Sequence, residues 1–168
     1  MDPERLRALA HISAEPLTRE AFVSVLASLA EATSVRSSQI QVADGTSQEI
    51  FRSESRFLGI FAVDYTLADL VGAPNLTKPI LDDYYQRVGL TASERTAYLS
   101  RRETYSSAIR TPHQNGPGWQ LGDTFAALCG RENDFGIRMR AYSMFMAAYQ
   151  AVSEFIIDAS NPGSASAT

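Results

Sequence analysis

All-α is the fold class this sequence predicts, and three observations predict it. Apolar residues return at three- and four-residue steps in several long segments, the repeat of one helical face. Two Thr-x-x-Glu boxes, Thr46-Ser47-Gln48-Glu49 and Thr91-Ala92-Ser93-Glu94, have the spacing at which a threonine oxygen and a glutamate satisfy backbone amides at a helix start. Gly72-Ala73-Pro74-Asn75, Gly89 and Gly130 stand where such segments end, as expected of residues that suit a helix C-cap or refuse to continue one. The expectation is a single-domain helical bundle of five to seven helices over residues 1–160, with 161–168 as a flexible tail.

Taken in order, Pro3 to Ile12 predicts a short helix with Leu6 and Leu9 inward. Thr18 to Ser34 predicts an amphipathic one through Phe22, Val25, Leu26, Leu29 and Thr33. Ser34 to Thr46 is rich in Ser and Gln and reads as a connection, with room for one short extended segment at Gln39-Ile40-Gln41-Val42 before the Asp44-Gly45 turn. The first box then opens a long helix to about Leu70. Its second half, Phe57 to Tyr65, is apolar nearly all round, which marks a central, enclosed helix. Thr77 is expected to cap a helix through Val88, with Pro79 in its first turn and Ile80, Leu81, Tyr84 and Val88 inward. The second box opens a polar helix to about Ile109, expected on the surface. Arg110 to Gly118 reads as loop, and Trp119 to Cys129 as a short helix. Asn133 is expected to cap the last helix, to about Asp158, with Tyr142, Phe145, Tyr149, Val152 and Ile156 as its apolar stripe. Extending that stripe backward by four reaches Arg138, whose burial would need a carboxylate, with Asp64 or Asp69 on the central helix as candidate partners.

Composition narrows the function classes. The chain of 168 residues has a net charge of −4 and a pI near 5.2, which opposes a uniformly basic surface gripping nucleic acid. Its 45% hydrophobic content suffices for a packed core. Cys129 is the single cysteine, so no intramolecular disulfide or multi-cysteine metal cluster is available, and a cytoplasmic location is expected. No apolar run is long enough to span a membrane, and Met1-Asp2-Pro3-Glu4-Arg5 lacks the layout of a secretory signal. Fourteen arginines face one lysine, Lys78. A GC-rich codon bias fits that ratio beside 23 alanines, and so does a use for the planar guanidinium fork on carboxylates, phosphates or aromatic faces.

Few constellations carry chemistry. Only His11 and His113 are present, no Glu-x-x-His pattern occurs, and neither a metal nor a cofactor is expected. Asp82-Asp83 lacks the further carboxylates a magnesium site needs and reads as a solvated helix face. Arg5-Leu6-Arg7-Ala8-Leu9-Ala10-His11 resembles, in its Arg-to-His spacing, the small helical HEPN ribonucleases, which would imply backbone cleavage by that pair. In that family the motif belongs on a late helix, whereas here it lies at the N-terminus. Cys129 has no histidine nearby in sequence to activate it and reads as structural.

Two features read as recognition surfaces. Tyr98, Arg101, Arg102 and Tyr105 gather aromatic and guanidinium groups within about two helical turns, suited to anchoring a protein partner or stacking on single-stranded bases. His113 and Trp119 flank a loop rich in Gly and Pro, a common setting for binding residues. The function expected is therefore a non-enzymatic interaction or assembly protein: an adaptor, an inhibitor or immunity-type partner, or a subunit that binds copies of itself. Two alternatives belong to other classes. An RNA-associated subunit would hold phosphates with Arg95, Arg101, Arg102, Arg138 and Arg140. A pocket protein would enclose an apolar or aromatic ligand among Phe57, Phe61, Tyr65, Tyr142, Phe145 and Tyr149.

Overall fold

A computed structural model of the chain describes residues 3–38, 48–112 and 118–161. Among them are seven helices and no strand: α1 (Pro3–Ala14), α2 (Pro16–Ser38), α3 (Gln48–Val71), α4 (Pro74–Arg87), α5 (Ala92–Arg110), α6 (Trp119–Leu128) and α7 (Phe135–Ala159). The expected extended segment at 39–42, the Thr46 cap, His113 and the tail beyond 161 lie outside the described residues.

Proline sets two helix starts earlier than the threonine signals suggest. Pro16 opens α2 and Pro74 opens α4, because a proline has no amide to leave unpaired in a first turn and its φ is already helical. Thr77 is thus buried inside α4 rather than capping it, and Pro79 lies beyond the first turn. The α1–α2 joint is a single residue, and Glu15 N donates to His11 O at 2.9 Å while Arg19 N donates to Glu15 O at 2.9 Å across it. The box at α5 forms in full: Glu94 N donates to Thr91 Oγ1 at 3.2 Å, and Thr91 N to Glu94 Oε2 at 2.9 Å. At α7 the cap is Asp134, one residue past the expected Asn133, and its Oδ1 accepts from Ile137 N at 3.1 Å.

The central position of α3 is as its all-round apolar run requires. It packs against α2, α4, α5 and α7, and every residue from Phe57 to Asp64 is buried. Close approach to α2 depends on Gly59, where a Cβ would stand 2.5 Å from Ala30 O. On α2 the inward face is Phe22, Val23, Leu26, Ala30 and Thr33, while Val25, expected inward, is exposed. On α7 it is Ile137, Ala141, Phe145, Ala148, Val152 and Ile156, with Tyr142 and Tyr149 at its edge. Phe61 joins three helices, its ring 5.4 Å from Tyr105 on α5 and 6.0 Å from Phe145 on α7.

Candidate interaction surface

The four residues singled out on α5 are divided between two buried carboxylates on α3. Glu54 and Asp64 are only 4% and 3% exposed, and ten residues of helix separate them by about 15 Å. Arg101 Nε donates to Glu54 Oε1 at 2.8 Å and Tyr105 hydroxyl to Oε2 at 3.1 Å. Tyr98 hydroxyl donates to Asp64 Oδ2 at 2.5 Å, and Arg102 Nε lies 2.9 Å from the same oxygen. Each carboxylate is thus clamped by a tyrosine and an arginine one turn apart on α5. Tyr85 of α4 adds a hydroxyl 2.6 Å from Asp64 Oδ1. Burial of an ionised carboxylate is costly unless such partners satisfy it. Here burial still holds the Asp64 carboxyl above the usual aspartate value, against the opposing pull of Tyr85, Tyr98 and Arg102.

The helix lies on the surface as expected, with only Tyr98, Tyr105 and Ala108 buried, but the placement expected for its two tyrosines is corrected. Tyr98 and Tyr105 are core residues, so their rings do not reach a partner, and burial followed by the neighbouring carboxylates pushes both hydroxyls well above the usual tyrosine range. Arg101 is partly buried with Glu54, whereas the Arg102 side chain remains 45% exposed. The expected pairing of Arg138 is corrected as well. It meets Asp123 of α6, while Asp64 is taken by α4 and α5, and Asp69 accepts from Tyr149 hydroxyl at 2.8 Å. The reason is local: Gly122 lets α6 close on α7 until a Cβ there would lie 2.7 Å from Arg138 O, which brings Asp123 nearest.

What α5 does present outward is a stripe. Arg95, Leu99, Arg102, Ser106 and Arg110 follow at helical steps and lie within about 80° of one another around the axis. Arg95, Leu99, Arg102 and Arg110 are exposed, Leu99 at 47%. Arg102 lies at the meeting of two grooves. One of about 640 Å³ runs along Ser106, Ser107, Arg110 and Pro112. The other, about 470 Å³, runs past Asp64 and Tyr85 to the Gly72–Pro74 turn and Lys78.

The remaining candidates are dispersed. Of the five arginines of the RNA reading, Arg95, Arg101 and Arg102 lie on α5 and Arg138 and Arg140 on α7, with Arg101 and Arg138 each paired to a carboxylate and Arg140 exposed. Of the aromatics proposed to enclose a ligand, Phe57 and Phe61 are core, Tyr142 packs against Trp119 at 6.1 Å, and Tyr65, Phe145 and Tyr149 line a shallow groove of about 200 Å³. Trp119 is half-buried. His11 is exposed on α1, and six residues place it about 120° around that helix from Arg5. Burial and then Glu54 push the Cys129 thiol up to about 12, so it is protonated at neutral pH. Asp83 accepts from Arg19 Nε at 2.6 Å and Asp82 from Lys78 Nζ at 2.7 Å, tying α4 to α2 through the first and to itself through the second. Among the described residues no group of His, Cys, Asp and Glu could hold a metal ion, and no helix is long and apolar enough to cross a membrane.

Sequence reasoning missed Glu54, Tyr85 and Asp123. A usable signal was present on α5, where Tyr98/Arg102 and Arg101/Tyr105 are both four-residue pairs, the spacing at which two side chains share one helix face. No protein family, curated protein or solved structure matches the chain.

Proposed function

We propose that this is a non-enzymatic interaction protein that binds an acidic partner protein through the outer face of α5. The observation that carries the reading is the outward stripe of Arg95, Leu99, Arg102 and Arg110, all exposed, with half-buried Ser106 among them. Arginine forks offer bidentate contacts to carboxylates, and Leu99 supplies an apolar anchor among them. Beneath the stripe, the Glu54 and Asp64 clamps fix α5 on α3 at four side chains. A surface held rigid in advance loses less entropy on binding. Exposed Leu99 amid the arginines, with Tyr98 and Tyr105 buried and unable to stack on a base, favours a protein partner over RNA.

Affinity purification of the tagged chain at native expression level, against an Arg95→Glu, Arg110→Glu double variant, tests the reading. The expected result is a retained protein that the variant loses and that salt weakens, with helicity and melting temperature unchanged because neither arginine is placed in the clamps. Equal retention by the variant overturns the reading. Retention abolished by nuclease assigns the stripe to RNA instead.

A further inference from the structure

We propose that the outer face shared by α2 and α7 docks a second copy of this chain, with the two α7 helices antiparallel across a two-fold axis at Ala147. The inward face of α7 leaves Arg140, Ser143, Ala147, Ala151 and Glu154 along its outer side, Ala151 partly buried and the other four exposed. Their spacing is three, four, four and three residues, so the positions are symmetric about Ala147 while the charges at the two ends are opposite. They lie within about 80° of one another around the helix.

An isologous interface presents the same patch to itself, each residue meeting its mirror position. Antiparallel contact at Ala147 sets Arg140 opposite Glu154 of the second copy, and Ser143 opposite its Ala151, at both ends of the interface. A parallel arrangement sets arginine on arginine and glutamate on glutamate. The charge pattern therefore selects one orientation, and like charges oppose the other. Small side chains at the centre let two helix axes approach toward the near end of the usual ~8–10 Å range.

The surroundings supply apolar area that alanines alone lack. A groove of about 200 Å³ between α2 and α7 is lined by Leu29, Ala32, Met144, Ala147 and Ala151. On the same side of α2, about 40° around the axis from Leu29, Val25 is 40% exposed. Glu154 also accepts from Gln150 Nε2 at 2.9 Å, and Arg140 has an interaction within its own copy. Exchange of such contacts means the cross-axis pairs set register and orientation more than affinity. The α5 stripe takes no part, so this inference stands apart from the function proposed above.

Sedimentation equilibrium of the full chain over a concentration series measures the association. The wild type is expected to dimerise, and Ala147→Glu, which brings two carboxylates onto the axis, to remain monomeric with unchanged circular dichroism. Glu154→Arg is expected to weaken the dimer by about tenfold or more, and adding Arg140→Glu to restore it. A second measurement does not depend on the stability of those variants: Ala147→Cys treated with diamide is expected to give a covalent dimer on a non-reducing gel, whereas the wild type, whose Cys129 is buried, gives none. A wild type that stays monomeric at every concentration, a dimer indifferent to Ala147→Glu, or no covalent dimer from Ala147→Cys overturns the proposal.

Discussion

At the scale of single residues, the arginines of α5 have two different employments, and mutation separates them. Arg101 holds Glu54, whose side chain is 5% exposed. Arg101→Ala leaves that carboxylate with Tyr105 and a large desolvation cost, so a loss of about 2–3 kcal/mol is expected. Asp64 keeps two tyrosine hydroxyls when Arg102 is removed, and Arg102→Ala is expected to lose about 1 kcal/mol. Urea unfolding of the two variants checks the order; equal and negligible losses would remove the clamp. Asp64 itself makes stability depend on pH. Its folded value is raised above 3.8 by burial, so the folded chain binds this proton more tightly than the unfolded chain. Ionisation of Asp64 therefore subtracts stability as pH rises from 3.8 through the folded value. Wild type is expected to lose ground to Asp64→Asn between about pH 4 and about pH 7. Denaturant midpoints of both proteins at the two pH values measure this, and a gain by wild type would reverse the sign.

At the scale of helices, caps and close approaches decide where elements start and how near they sit. Thr91 and Glu94 were legible as a box because both halves lie within four residues. Pro16 and Pro74 took precedence over Thr18 and Thr77 as helix starts because the first turn asks nothing of a proline amide. The α2–α3 approach is a matter of one missing methyl. Alanine at position 59 gains about 1 kcal/mol of helix propensity, but its Cβ would stand 2.5 Å from a backbone oxygen that cannot rotate away. Overpacking of about 1–3 kcal/mol outweighs the gain, so Gly59→Ala is expected to lower the thermal midpoint. A higher midpoint would mean that α2 can move off α3 without loss.

At the scale of the whole molecule, α3 is the post against which α2, α4, α5 and α7 are set, and the Phe61 ring joins it to α5 and α7. Truncation of Phe61 to alanine is expected to cost about 3–5 kcal/mol, since contacts with α5 and α7 are lost together. A near-neutral value in chemical denaturation would contradict the enclosed position of α3. Exposed surface is distributed differently: the guanidinium stripe lies on α5 and the row from Arg140 to Glu154 on α7, so the two binding proposals rest on separate helices.

Helix-period patterning, the Phe57–Val71 centre and the α5 cap could be read from the residues because each depends on neighbours a few positions away. The destination of a charge could not. Arg101 and Glu54 are 47 residues apart, and Tyr98 and Asp64 are 34 apart. A polar helix rich in Arg and Tyr looks alike whether its groups face solvent or buried acids. Packing chose between those outcomes, because once α5 lies on α3 the desolvated carboxylates must take every donor within reach. The sequence by itself determined an α-helical chain with α3 at its centre; only the tertiary structure decided which arginines are drawn to buried acids and which stay in solvent, because that choice depends on residues brought together from distant parts of the chain.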